Sequence, residues 1–573
     1  METLTLPSFE ASPVQVCLLT LLIISCWYLT TSFFSWYRLR HIPGPFVGSF
    51  SYFWLLRIAA SARQEELYRN INTQYKSRLV RVGPNELLTD DPDVLRRVNA
   101  VRGDYGKDAW YFSSRFNPYQ ETMFTTTDKT LHDKMKTQTS AGYAGREIDL
   151  LEPSVDEQMM KAVRLLKEKY ADTGRLMDMG LLPAYLTMDV ITSATFGKPF
   201  GHLDADADVF GFIAQMRDNW PILAVTLDTP WIRSVRFSSW FLKLLGPRPT
   251  DTHGMGQMMG VAEKYVGERF KPTSKPQNDM LGSWIKNGLT KAECEAEGLF
   301  ALVAGSDTTA SVIRITMLYL MTNTRVYLKL KDVIRQSVDT GVSTPITVDE
   351  SSKIPFLRAL VYEGIRIRAP ATGLYPKTVP PQGDTIDGKF IPGGTAIGMN
   401  APAMLRSQTV FGPDADLFRP ERFLDVSDKA RAQLEREVEM AFGYGRYMCA
   451  GKPVAFMELY KVFFELLRNF DFELANPVKP WDSSSYNIFV EENIYTTALY
   501  EYTNDDEDDD EDDDEDDDED DDEDDDEDDD DDDDDVDDDD DDDDDVDDDV
   551  DDDVDDDSNG SDDSDHSDND SNR

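Results

Sequence analysis

The most reactive arrangement in the sequence is a cysteine behind a glycine-rich run. Residues 442–451 read Phe442-Gly443-Tyr444-Gly445-Arg446-Tyr447-Met448-Cys449-Ala450-Gly451, and an apolar helical pattern begins just after them. Glycines let a backbone pass close to a flat cofactor and turn its N–H groups toward a sulfur. Such donors, with a helix N-terminus beside them, stabilise a thiolate. A thiolate can ligate iron and push electron density toward O–O cleavage. A cysteine after glycines is, on its own, more often an inert core thiol, so the other polar clusters decide the reading.

Ala304-Gly305-Ser306-Asp307-Thr308-Thr309 places an acid beside hydroxyls within an otherwise apolar helical stretch. Burying an acid is costly unless it is used. Asp307 and Thr308 could pass protons to dioxygen, and small Ala304 and Gly305 would let a ligand approach the helix. The plainer alternative has Thr308 bonding back to the carbonyl four residues earlier, with Asp307 capping a kink. Glu363-Gly364-Ile365-Arg366 puts opposite charges at i and i+3 on one helix face. Its apolar flanks favour burial, and a buried pair needs more partners; Arg422, in Pro420-Glu421-Arg422-Phe423, could supply one and lock the loop before Cys449.

The elements that must hold these groups are mostly helices. Arg63–Tyr75, Asp156–Tyr170, Lys291–Met321 and Pro453–Asn469 carry apolar residues at helical spacing. Short strands are predicted near Leu79–Val82, Gly388–Ile391 and Ile488–Leu499, with proline-rich loops at 370–381 and 413–423. The fold class is mainly α (α+β), in one large body.

Composition divides the chain in three. Val14 to Tyr37 is an uncharged, mostly apolar run of 24 residues, long enough to cross a bilayer. Trp36 and Tyr37 end it, and Arg38, Arg40 and His41 follow, which predicts a cytoplasmic C-terminal side. A cleaved signal peptide would need a basic region first, and Glu2 and Glu10 are the only charged side chains before the run. Residues 1–40 therefore read as a membrane anchor, 41–504 as the catalytic body and 505–573 as a disordered acidic tail. The tail holds 54 of the 112 acidic residues and one of the 57 basic ones, with Glu507, Glu511, Glu515, Glu519, Glu523 and Glu527 at every fourth place. Like charges at that spacing oppose helix formation, and such a composition forms no core. The remainder is nearly neutral, which gives no case for nucleic-acid binding. Four scattered cysteines are neither a disulfide framework nor a zinc site.

Taken together, and in this order along residues 35–500, the clusters at 304–309, 363–366, 420–423 and 442–451 resemble the cytochrome P-450 superfamily. The chain is similar in particular to its fungal microsomal branch that includes pisatin demethylase. The resemblance implies haem b with Cys449 as axial iron ligand, and Phe442, Gly445 and Gly451 shaping the cofactor loop. It implies Asp307 and Thr308 as the acid–alcohol pair and Glu363, Arg366 and Arg422 as a structural triad. The family usually has a basic residue two places before the cysteine; here Tyr447 stands there and Arg446 one place earlier. His132 and Lys136 replace the usual tryptophan–arginine pair of their helix, and Lys377 stands where another arginine is common. Propionate binding is thus expected of Arg446, His132, Lys136 and Lys377. By the same analogy Phe300, Thr372, Gly373 and Phe489 face the substrate.

The expected activity is a monooxygenase inserting one oxygen atom from O2 into a mostly apolar small molecule in fungal specialised metabolism. Its expected partners are an NADPH–cytochrome reductase, O2 and a membrane, with a single-pass position in the endoplasmic reticulum membrane and a cytoplasmic catalytic domain. The alternatives are a haem-thiolate isomerase or dehydratase that needs no reductase, against which Asp307-Thr308 argues, and a non-catalytic membrane protein with an acidic interaction tail.

Overall fold

A computed structural model describes residues 12–148 and 151–500; the predicted tail at 505–573 lies outside the described residues. The body is helix-rich with small sheets. Eight helices carry the argument: α1 (Pro13–Leu39), α2 (Lys129–Tyr143), α3 (Leu151–Lys169), α4 (Leu182–Phe196), α5 (Phe212–Asp228), α6 (Lys291–Met321), α7 (Pro355–Ile367) and α8 (Lys452–Asn469). The helix expected at Arg63–Tyr75 is two short ones, Gln64–Arg69 and Ile71–Tyr75, parted at Asn70. The strand expected at Ile488–Leu499 is likewise two, Phe489–Glu492 and Tyr495–Tyr500, separated where Asn493 takes a left-handed φ of 60°.

The central spine is α6. A capping box starts it, with the Thr290 hydroxyl accepting from the Glu293 N–H while the Glu293 carboxylate accepts from the Thr290 N–H, which satisfies two of the donors left free at a helix start. It is buried on most sides and packs against α4 most extensively, and also against α7 and α8. The contact with α4 is close enough that a Cβ on Gly305 would lie 2.7 Å from Ile191. Packing against a neighbouring helix is therefore enough to require a small residue at Gly305.

A five-stranded sheet runs in the order Leu79–Arg81, Glu86–Thr89, Ala396–Met399, Lys377–Thr378, Gly106–Lys107. The last two pair Lys107 with Lys377 in register. Two basic residues 270 positions apart are thus set side by side on one sheet edge.

The C-terminal end of α1 is fastened to this sheet. The buried Arg81 guanidinium donates to the carbonyls of Ser35, Trp36, Gly83 and Pro84 at 2.7–3.2 Å, and Leu39 and Ile42 are buried in the main core. Upstream, the apolar side chains of α1 are exposed, and among the described residues α1 is the one helix long and apolar enough to span a membrane.

Candidate active site

Cys449 sits where the chain bends twice through left-handed backbone. Gly443 has φ 76° and Gly445 φ 58°, a region side chains rarely adopt; a Cβ on Gly445 would also collide with the Asn99 carbonyl. The turn is closed by the Cys449 N–H donating to the Phe442 carbonyl at 2.7 Å. Helix α8 begins three residues on, with Pro453 in its first turn, where a missing N–H costs nothing. The sulfur is exposed on the wall of a cavity. The surrounding protein pushes the thiol upward, while the Gly451 and Lys452 N–H groups and the charges of Lys136 and Lys452 pull it down.

That cavity joins the predicted residues. Phe442, Cys449 and Gly451 line it, with Ala304, Gly305, Thr308 and Thr309 of α6. Its wall is strongly aromatic, with Trp110, Tyr111, Phe116, Phe124, Trp220 and Phe300. The Thr308 hydroxyl donates to the Ala304 carbonyl at 2.9 Å, which is the back-bonded geometry. Asp307 lies off the cavity wall and accepts from Trp220 Nε1 at 3.0 Å. Burial raises its proton affinity, with Trp220 and then Arg314 opposing. It caps no kink, since α6 is a single helix from Lys291 to Met321.

The basic residues divide. His132, Lys136 and Lys377 line the cavity. Arg446 does not: its guanidinium donates to the Val101 carbonyl at 2.6 Å and pairs with Asp133, and its own carbonyl accepts from Lys136 Nζ at 2.5 Å. Lys107, which the motifs do not single out, takes its place on the wall. It donates to the carbonyls of Met123 and Phe124, both at 2.8 Å, and burial drives its proton affinity far down. Lys377 donates to the Tyr111 hydroxyl at 2.6 Å and the Tyr375 carbonyl at 3.1 Å; burial lowers its pKa to about 7. Both ammonium groups lie over the Tyr447 ring, at 5.5 and 5.1 Å. His132 stacks edge-on to the same ring at 5.0 Å; burial, then the charge of Lys107, holds it down at about 4. The only signal for Lys107 in the sequence is a lone lysine among aromatics, Tyr105 to Phe112.

The triad is closed and buried. Glu363 accepts from Arg366 at 2.7 and 2.9 Å and from Arg422 at 3.0 and 3.1 Å, and the Arg419 N–H adds a fifth bond at 2.7 Å. Of the four residues expected to face the substrate, only Phe300 lines the cavity; Asn487 and Ile488 do so where Phe489 was expected. The Thr372 hydroxyl turns toward Ser485, and Phe489 lies under the Arg368 guanidinium, 3.7 Å from its ring centroid. Glu458 of α8 also lines the cavity. Burial pushes its carboxyl up to about 8, with the Thr309 hydroxyl opposing.

The residues present fit a haem. Lys107, Lys136 and Lys377 face one cavity, and none of the three forms an ion pair with a carboxylate among the described residues. Burial disfavours a charged lysine that has no anion, and the propionates of a haem held by Cys449 would supply one.

Comparison with known proteins agrees. The family model described as Cytochrome P450 matches residues 52–496. The chain is 47% identical over 463 residues to the cytochrome P450 monooxygenase aba1 of Botryotinia fuckeliana, covering 80% of this chain and 91% of that one. It is 41% identical over 483 residues to cytochrome P450 monooxygenase abl1 of Leptosphaeria maculans, with 82% and 85% covered. Pisatin demethylase of Fusarium vanettenii is 28% identical over 489 residues, with 83% and 92% covered. The crystal structure of the cytochrome P450DA heme domain superposes with a TM-score of 0.65 at 15% identity, covering 80% of this chain and 98% of that one. A cysteine presented by a glycine turn to an aromatic cavity, matched over the whole body by a family model and by fungal monooxygenases, places this chain in the cytochrome P450 family of haem-iron monooxygenases.

Proposed function

We propose that the chain holds haem b through Cys449 and oxygenates a mostly apolar small molecule in fungal specialised metabolism. The observation that carries the proposal is the aromatic cavity that Cys449 lines together with Ala304, Gly305, Thr308 and Thr309 and three lysines. Haem b supplies the activation of O2, so that one oxygen atom enters a substrate C–H bond and the other leaves as water.

The chain's own residues do the rest. Phe442, Gly445 and Gly451 shape the loop that presents the sulfur. Lys107, Lys136 and Lys377 would provide the basic edge for the propionates, with His132 beside them as a neutral imidazole, and Arg446 steadies that edge through Asp133 and Lys136. The aromatic wall excludes water and orients an apolar body by offset stacking. Thr308 holds a hydroxyl at the wall, and Asp307 behind it is the proton reserve. Glu363, Arg366 and Arg422 fix the loop leading to the cysteine.

Two electrons come from an NADPH–cytochrome reductase. Residues 1–40 anchor the chain in the endoplasmic reticulum membrane, residues 41–504 form the cytoplasmic catalytic domain, and 505–573 form the acidic appendage. Helix α1, with its exposed apolar flank, supports the anchor, and the fungal relatives support the metabolic setting.

The deciding measurement is the carbon-monoxide difference spectrum of the reduced protein beside Cys449→Ala. A strongly red-shifted Soret band lost in the variant is expected. A band at the ordinary haem position in the wild type would overturn thiolate ligation and the oxygenation built on it.

A further inference from the structure

Asp307 is placed oddly for a proton donor. It is half-buried and off the cavity wall, and its one side-chain hydrogen bond among the described residues comes from Trp220 Nε1 at 3.0 Å. Trp220 itself is on the wall, edge-on to Phe116 at 6.3 Å; Phe116 in turn lies 6.3 Å from Phe300. The indole therefore has two contacts of different kinds: its ring meets whatever fills the cavity, and its N–H holds the acid.

The helix carrying Trp220 is built to give at that point. Pro221 lies inside α5. It has no N–H, so the Arg217 carbonyl lacks its helical partner and the turn bends at low cost. A ligand that presses on the indole can thus move it without unpacking the helix ends.

We infer that Trp220 is a positioning residue that holds Asp307 away from the reaction until a substrate displaces the indole. With the cavity empty, the Trp220 N–H satisfies the Asp307 carboxylate. With substrate against the ring, that bond opens, and Asp307 takes a proton and swings toward the Thr308 hydroxyl. The inference rests on the oxygenase reading above. It predicts that proton supply waits for substrate, which suppresses the wasteful reaction O2 + NADPH + H+ → H2O2 + NADP+ in favour of RH + O2 + NADPH + H+ → ROH + H2O + NADP+.

The test is infrared spectroscopy of the haem-loaded full chain, with Asp307→Asn as the blank that isolates the Asp307 carboxyl C=O stretch. Trp220→Phe keeps an aromatic face on the cavity wall, though a smaller one, and removes the N–H donor. Losing a hydrogen bond to a carboxylate shifts its protonation roughly tenfold, or about one pH unit. The substrate-free Trp220→Phe protein should show its carboxyl band titrating that much higher than the wild type. Arg314, the one charged group acting on Asp307, is unchanged in both, and Trp220 and Thr308 are neutral. Adding phenylcyclohexane, an apolar probe suited to the aromatic wall, should raise the band in the wild type and leave it unmoved in the variant. With reductase and NADPH, substrate-free peroxide formation should rise several-fold in Trp220→Phe, and the further change Asp307→Asn should cancel the rise. Equal midpoints in wild type and variant overturn the inference. A normal carbon-monoxide band in both proteins would then leave the oxygenase reading standing, whereas its absence from the wild type would remove that reading first.

Discussion

Two clusters of buried charge in this molecule are handled in opposite ways. Around Glu363 each charge meets its complement: one carboxylate takes five donors, Arg422 also pairs with the Asp414 carboxylate at 3.1 Å, and the remaining guanidinium N–H groups of Arg366 and Arg422 end on carbonyls of Phe411, Asp414, Ala415, Leu405 and Leu417. Along the cavity edge Lys107 and Lys377 are as buried as these arginines, yet end only on carbonyls, a hydroxyl and aromatic faces. The first cluster is complete and can only hold. The second lacks its anions and is made to bind. Burial and charge alone do not separate frame from site; the state of the hydrogen-bond ledger does.

Breaking the complete cluster should have the largest effect. Glu363→Ala leaves the buried Arg366 without a carboxylate and Arg422 with Asp414 alone, and removing one partner of a buried pair costs about 3–5 kcal/mol. Denaturant unfolding should show that loss together with a collapse of haem content. Full stability in this variant would mean that the network is ornamental.

Next in size, Lys107→Met with Lys377→Met should separate the two clusters. Each lost charge-assisted bond to a propionate is worth roughly 1.5–3 kcal/mol, so haem transfer to an acceptor globin should accelerate at least tenfold. The haem-free protein should meanwhile become more stable, because two buried amines whose charged form burial disfavours are gone. A fall in both quantities would place these lysines in the frame.

A pH series sharpens the same contrast. Lys377 has a folded pKa of about 7, below its ordinary 10.5. The folded protein therefore prefers the neutral amine, and the destabilising protonated form is present in full below pH 7. Stability of the haem-free protein should rise with pH between about 7 and 10.5, by at most about 1.4 kcal/mol per unit from this group. Lys377→Met should flatten the rise, and haem should flatten it too by giving the ammonium a partner. The smallest effect is expected at the surface. Arg446→Ala removes a pair with the half-exposed Asp133 and should change stability by no more than about 1 kcal/mol, with haem retention nearly intact. A large haem loss there would return Arg446 to the cofactor.

What the sequence made legible follows from how locally each group is determined. Glu363 and Arg366 are three residues apart on one helix, so their pairing is visible in the spacing. The glycines at 443 and 445 announce their left-handed turns. The position of Lys107 beside Lys377 depends on a strand pairing across 270 residues, which no local pattern encodes. Trp220 reaches Asp307 across 87 residues, again through tertiary packing alone. Phe489 was expected at the cavity, yet Asn487, with its left-handed φ of 64°, turns the hairpin so that 487 and 488 face inward instead. Phe300 was placed by family analogy alone, and the long continuous helix α6 carries it to the cavity together with Ala304 and Thr308.

The fastening of α1 to the sheet has a mechanical consequence. The apolar run of 24 residues is about 36 Å long as a helix at 1.5 Å per residue, whereas a bilayer's hydrocarbon core is about 30 Å thick. Such an excess is relieved by tilting. Since Arg81 clamps the last turn of the helix onto the body, the joint transmits that tilt instead of absorbing it. Thicker and thinner membranes would then set the catalytic body at different angles to the bilayer.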